Sequence, residues 1–159
     1  MSTEPSTDSS TDSSTDSSTE PTPRTDRLET RAKIRVSAVV MRDEHGRVLN
    51  VRKRGTAMLM LPGGKPESGE TPNQTAAREF EEELGVSLDP RHLVFLGEFR
   101  SAAANEAGFD VVAHVYEHPF VDGVTTKAEI EHLEWVDPRT DRADIAPLNT
   151  EHVFPALRD

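Results

Sequence analysis

Residues 64–86, GKPESGETPNQTAAREFEEELGV, constrain the fold more than any other stretch of the chain. Thr71 is placed to cap a helix, Pro72 suits the first helical position, and Gln74 completes a capping-box pattern three residues after Thr71. Good helix formers then run to Gly85, a natural stop. The spacing predicts a helix over 72–84, about 20 Å long at 1.5 Å per residue.

Wound at about 100° per residue, that helix separates two faces. Ala76, Ala77, Phe80 and Leu84 form an apolar stripe. Glu79, Glu82 and Glu83 fall within an arc of about 100° beside it, where side chains three and four apart are neighbours. Glu81 points away, and the periodicity puts no Lys or Arg inside the arc. Most acidic runs are simply solvated faces. Two costs argue otherwise here. Like charges at i, i+4 destabilise a helix by about 0.2–0.5 kcal/mol per pair, and carboxylates near its C-terminus oppose the macrodipole by about 0.3–1 kcal/mol each. A bound divalent cation reverses both, and clustered hard oxygen ligands suit Mg²⁺ or Mn²⁺.

The stretch resembles the Nudix box, G-x5-E-x7-R-E-U-x-E-E-x-G-U, where U is bulky and aliphatic or aromatic. Gly64, Glu70, Arg78, Glu79, Phe80, Glu82, Glu83, Gly85 and Val86 stand at every defined position in register. Agreement of all of them at fixed spacing is far more specific than a lone glycine motif. The resemblance implies the fold of that family: α/β, an α/β/α sandwich with a mixed β-sheet and a loop-helix-loop catalytic motif. Outside the box the match is of strand order alone.

The order of elements agrees. Residues 33–41 (KIRVSAVVM) read as a buried strand and 47–53 (RVLNVRK) as a second strand of alternating character, joined by a turn at Asp43-Glu44-His45-Gly46. A short apolar segment, 58–61, ends in Pro62-Gly63-Gly64, where glycines permit close backbone approach to a metal or phosphate. Residues 92–103, irregular at Gly97, and 110–118 suggest an antiparallel hairpin, and 131–136 a further strand with the single Trp. Residues 148–157 read as a closing helix shortened or interrupted by Pro155.

Residues 1–30 differ in kind. They repeat S-T-D-S, hold almost nothing apolar, and contribute −5 of the net charge of −11. Such a segment cannot bury enough surface to offset its ordering entropy and is expected to be disordered, with a Nudix hydrolase domain over 31–159. A leader, a linker and a phosphorylation target all fit this tail. The acidic balance argues against stable nucleic-acid binding, which needs a basic footprint. With no cysteine, disulfides, thiol catalysis and cysteine-zinc sites are excluded. His114 and His118, the only close histidine pair, are better read as surface or core residues than as ligands. Neither a signal-peptide pattern nor an apolar run long enough to span a bilayer is visible, so the expectation is a cytoplasmic protein without membrane contact, monomeric or homodimeric.

The resemblance further implies metal-dependent hydrolysis of a nucleoside diphosphate linked to another moiety (a dNTP or NTP, a nucleotide sugar or a dinucleotide), with water attacking phosphorus. Glu79, Glu82, Glu83 and the Gly64 carbonyl become the expected ligands of Mg²⁺, or of Mn²⁺. Arg78 and Glu70 become an ion pair holding the helix to the preceding loop, against an ordinary helix salt bridge from Arg78 to Glu82. The general base is expected either on a box glutamate or on a later loop, where Glu129 and Glu131 rank ahead of Glu134. Arg52 and Arg54, alternating on the second strand, are candidate phosphate contacts. No proline lies in 97–108 and the only tyrosine is Tyr116, which weakens the ADP-ribose and dinucleoside-polyphosphate subgroups. A MutT-like hydrolase of nucleoside triphosphates and a broad-range pyrophosphatase stay open. Trp135 and Phe109 are read as core packing before base stacking. The alternative is a non-catalytic nucleotide-binding or interaction module, but such modules commonly lose box carboxylates. Diphosphate isomerisation by a related family uses a cysteine that is absent here.

Overall fold

The structure, a computed structural model, describes residues 32–158; the expected disorder of 1–30 lies outside the described residues. Strand β1 (Ala32–Met41) carries the alternation on which the layers are built. Its Val39 and Met41 face one way, against Ala76, Ala77, Phe80 and Leu84 of helix α1 (Pro72–Leu84). Ala38 and Val40 face the other way and pack with Leu148, Val153 and Phe154. Leu148 and Val153 belong to a π-helical segment, Leu148–Val153, and Phe154 opens α2 (Phe154–Leu157), into which that segment continues. Period-two side-chain direction in one strand therefore fixes two cores on opposite faces. The expected α/β/α sandwich is what forms.

Its central sheet is mixed, in the order β3-β1-β5-β4, where β3 is Gly63–Gly64, β4 is Val94–Ala102 and β5 is Phe109–His118. β1 runs parallel to β5 and antiparallel to β3, while β4 and β5 form the expected antiparallel hairpin. The register slips between Phe95 and Gly97, at the irregularity read from the sequence. A second, two-stranded antiparallel sheet joins β2 (Val48–Lys53) to β6 (Ile130–Val136). Alternating exposure was expected of β2, yet Val48, Leu49, Asn50 and Val51 are all buried, because this strand contributes to both cores.

α1 keeps its sequence-read boundaries. Thr71 Oγ1 accepts from Gln74 N, Gln74 Oε1 accepts from Thr71 N at 3.0 Å, and Gly85 at φ 78° closes the other end. Asp89 caps a 3₁₀ turn at Pro90–His92, so β4 starts two residues later than expected. Pro155 does not stop the closing helix: it falls in the first turn of α2, where a missing N–H matters least. Asn149 Nδ2 donates to Asn50 Oδ1 at 2.6 Å, and both residues are wholly buried, so an amide pair fastens β2 to the C-terminal segment.

Candidate active site

The site grows from the junction of β3 and α1. Beside β1 there is no room for side chains on β3. A Cβ on Gly63 would lie 2.2 Å from the Ser37 carbonyl oxygen, and one on Gly64 2.4 Å from Cδ of Glu79. Gly64 is therefore backbone pressed against a carboxylate. One turn on, Glu83 lies 2% exposed; its Oε1 accepts from Gly63 N at 3.2 Å and its Oε2 has no partner. Burial pushes its carboxyl up to about 8, opposed by the nearby Lys53 ammonium. Glu79 is raised too, again mainly by burial, with Arg78 pulling the other way.

Arg78 ties this corner together. It holds Glu70 through two parallel hydrogen bonds, from Nε and Nη2, and Nη2 also donates to the Lys65 carbonyl at 2.9 Å. Glu70 additionally accepts from Glu67 N at 2.9 Å and from the Thr75 hydroxyl at 2.8 Å. The Arg78 guanidinium, first among these donors, lowers the Glu70 carboxyl to about 2. The loop-to-helix ion pair and the contact to Glu82 are both present, since Nη1 reaches Glu79 at 3.2 Å and Glu82 at 3.2 Å. The helical arc read as free of cations thus receives one from its edge, because a long guanidinium crosses from the neighbouring position.

Glu79 and Glu82 lean toward Arg78 while Glu83 turns inward. Among the described residues, no group of three or more His, Asp or Glu side chains is gathered at metal-holding distance. The donor set nevertheless fits a hard divalent cation: carboxylate oxygens, one of them buried without a partner, beside peptide backbone that no Cβ shields.

This corner opens on a cavity of about 530 Å³. Its charged lining comes from Lys53, Lys65, Glu79, Glu82, Glu106 and Glu129. Its apolar lining follows β1 from Ala38, next to Gly63, out to Ile34, which pairs with Val111. Ala102 to Ala104, Leu148 and Asn149 complete the wall. Asn149 keeps its Oδ1 buried and unpartnered.

The structure separates the remaining candidates. Glu129 lines the cavity and pairs with Lys53 at 3.4 Å. The loop before it is sewn to the end of α1 by Thr125 N to Leu84 O and Lys127 N to Glu83 O, both 3.0 Å, with Ala128 at φ 53°. Glu131 and Arg52 bond to each other at 2.9 Å and neither lines the cavity; Glu134 is held by Arg142. Arg54 is exposed and also outside the lining, so the strand cation facing the cavity is Lys53, between the two arginines. His114 bonds to Glu98 and His118 to the Pro119 carbonyl. Trp135 packs on the α1-side core as core reading implied, whereas Phe109, also read as core, is 37% exposed and not part of the cavity lining. Sequence reasoning missed Lys53 and Asn149. The alternation read into 47–53 singled out Arg52 and Arg54, but Val48 to Val51 are all buried, so alternation does not decide which of residues 52–54 lines the cavity. Nothing local distinguishes an asparagine in a closing helix.

Comparisons with known proteins bear on the family and the fold. A NUDIX domain model matches residues 32–153. The chain is 40% identical over 115 residues to an octanoyltransferase of Myxococcus xanthus, covering 67% of this chain and 31% of that protein. It is 36% identical over 64 residues to the 8-oxo-dGTP diphosphatase of Escherichia coli K12, covering 38% and 48%. With an isopentenyl-diphosphate Δ-isomerase of Nocardia farcinica it shares 32% identity over 124 residues, covering 70% and 68%. The chain thus spans less than half the length of the first two relatives. Among solved structures, a MutT protein of Methanosarcina mazei superimposes with a TM-score of 0.64 at 20% identity, covering 80% of this chain and 92% of that one.

Proposed function

Because this chain belongs to the Nudix family, we propose that it hydrolyses a phosphoanhydride bond in a nucleoside di- or triphosphate derivative, with water attacking phosphorus and Mg²⁺ or Mn²⁺ as cofactor. One observation carries the reading: the buried, half-satisfied carboxylate of Glu83 sits with Glu79 and the Gly64 backbone beside a large cavity. Glu79, Glu82, Glu83 and the Gly64 carbonyl would hold the cation, which when bound neutralises phosphate charge and acidifies water. Glu70 and Arg78 position α1 against the preceding loop, as their two parallel hydrogen bonds suit them to do.

Glu129 is the better general base, since it faces the cavity from a loop anchored to α1, whereas Glu131 is occupied by Arg52. Lys53 exchanges its Glu129 partner for a substrate phosphate oxygen. An apolar wall with one unpartnered amide oxygen, on Asn149, suits a nucleobase that stacks on aliphatic groups and donates one N–H. The 8-oxo-dGTP diphosphatase relative supports a nucleoside triphosphate as first choice. Isomerisation, suggested by the Nocardia relative, lacks the thiol expected of it, since the sequence has no cysteine. Among the described residues no helix is long and apolar enough to cross a membrane.

The test is incubation with Mg²⁺ and a panel of dNTPs, oxidised dGTP, ADP-ribose, nucleotide sugars and dinucleoside polyphosphates. At least one compound is turned over, and Glu129→Gln lowers kcat by about 10²-fold or more with the fold intact. No turnover of any compound, or a Glu82→Gln/Glu83→Gln double variant of undiminished activity, refutes the reading.

A further inference from the structure

β4 is an edge strand: among the described residues no strand, bridge or loop hydrogen bond pairs with its outer edge, while the Leu148–Val153 segment packs against the strand, with the Phe99 and His152 rings 6.4 Å apart. Unpaired edges invite another strand, and proteins ordinarily blunt them with Pro, with Lys, with short strands or with a cover. Of the sequence devices, β4 has the bulge between Phe95 and Gly97 and two charged residues of opposite sign. It runs for nine residues, VFLGEFRSA, without Pro or Lys. Two of its apolar side chains stand in solvent, Val94 at 64% and Phe95 at 54% exposure. Phe95 lies with His114 and Tyr116, ring centroids 5.9 and 5.4 Å away, on the same face of the sheet as Glu98.

The strand carries two charges, Glu98 and Arg100, and their placement is self-complementary. They are two apart and share one face, opposite His114 and Val112 in the ladder with β5. Both are about half exposed, 57% for Glu98 and 49% for Arg100, although Glu98 touches His114 at 2.9 Å and Arg100 approaches Asp110 at 3.6 Å. Consider a second β4 laid antiparallel about a two-fold axis through Phe99. Residue 98 of one copy then faces residue 100 of the other, so Glu98 meets Arg100 twice, on one side of the joined sheet. Opposite charges directly across a strand pair attract, and like charges there repel. An edge bearing two charges of one sign would refuse a copy of itself; this one accepts it in that single register.

We propose that β4 is the interface of a homodimer, two copies pairing antiparallel about Phe99 to make one continuous eight-stranded sheet. The occupant is a second copy of this chain, since a two-fold contact places the same patch on both sides and this patch matches itself in charge. The cavity does not enter the interface: among β4 residues only Ala102, at the strand's end, contributes to its lining. Dimerisation therefore stands or falls apart from the proposed hydrolysis.

Sedimentation equilibrium of the full chain tests this with four proteins: wild type, Glu98→Arg, Arg100→Glu, and the double reversal. Wild type is a dimer at micromolar concentration. Each single reversal creates two like-charge contacts and weakens dimerisation at least about ten-fold, and the double variant returns to within about three-fold of wild type. Circular dichroism establishes that each variant is folded. Because the chain has no cysteine, register is read independently by oxidising mixed samples of Glu98→Cys and Arg100→Cys. Directly opposed positions lie about 4.5–5.5 Å apart and cross-link, whereas either variant alone places its thiols diagonally, about 7–8 Å apart, and does not. A monomeric wild type at about 100 µM, well above the range of specific interfaces, overturns the proposal. So does a dimer indifferent to the reversals, or cross-linking equally efficient in the unmixed variants.

Discussion

Glu83 makes the sharpest demand on the protein. Its carboxyl is 2% exposed, accepts one backbone N–H and leaves Oε2 without a partner. In metal-free protein this side chain stays protonated to about pH 8, against an ordinary value of 4.5. A raised carboxyl means that the folded chain holds a proton which the unfolded chain has released. Stability is therefore complete below pH 4.5 and is lost as pH rises through 8. Each unit between those values costs about 1.36 kcal/mol, so the full loss above pH 8 is about 5 kcal/mol, a large part of the 5–15 kcal/mol typical of a domain. Urea unfolding followed by fluorescence of the single Trp, Trp135, measures it directly in the presence of a chelator. Glu83→Gln keeps an acceptor for Gly63 N and cannot ionise. The variant should match wild type within about 1 kcal/mol at pH 5 and exceed it by several kcal/mol at pH 9. Millimolar Mg²⁺ or Mn²⁺ should restore wild type at pH 9 and leave the variant unchanged, because a ligand of the folded state adds its binding free energy to stability. Parallel wild-type and variant curves from pH 5 to 9 without metal would refute the burial argument. A wild type insensitive to metal would refute the ligand assignment.

What could be read from the chain, and what could not, follows from how local each interaction is. The capping box at Thr71, the αL stop at Gly85 and the apolar stripe ending at Leu84 are decided within one helix, and α1 forms over the predicted residues. Positions in the box were legible for the same reason: fixed spacing on a rigid element fixes neighbours. β3 was not legible as a strand, since two glycines carry no β-propensity. It exists because a Cβ on Gly63 would fall 2.2 Å from Ser37 O, so only a residue without one fits beside β1 there. Which of Arg52, Lys53 and Arg54 turns to the cavity depended on the packing of β2 between two cores, a tertiary fact. The cavity itself joins residues as distant in sequence as Ile34, Ala104 and Asn149. Arg78 shows the middle case: its pairing with Glu70 followed from the motif and its i, i+4 contact to Glu82 from helix spacing, but its reach to Glu79 depended on a rotamer.

Two further variants probe the corner around Gly64. Gly64→Ala places a Cβ 2.4 Å from the Glu79 carboxylate carbon, so the carboxylate must move. The variant should lose about 1–3 kcal/mol of stability to overpacking, with Mn²⁺ affinity, measured by calorimetry, falling at least about ten-fold. Unchanged affinity would remove Glu79 and Gly64 from the cation site. Glu70→Gln tests the ion pair through its pH dependence. The Arg78 guanidinium beside Glu70 brings that carboxyl down to about 2 from 4.5. For a lowered carboxyl the contribution to stability is present above pH 4.5 and is lost as pH falls through 2. Glutamine still accepts from Arg78 but brings no charge, so the variant lacks that contribution at every pH. Wild type should therefore have the higher urea midpoint at pH 7, and the gap should narrow steadily once pH falls below about 4.5. A gap of constant size down to pH 3 would mean that Glu70 acts through shape alone, and that its charge does not hold α1 in place.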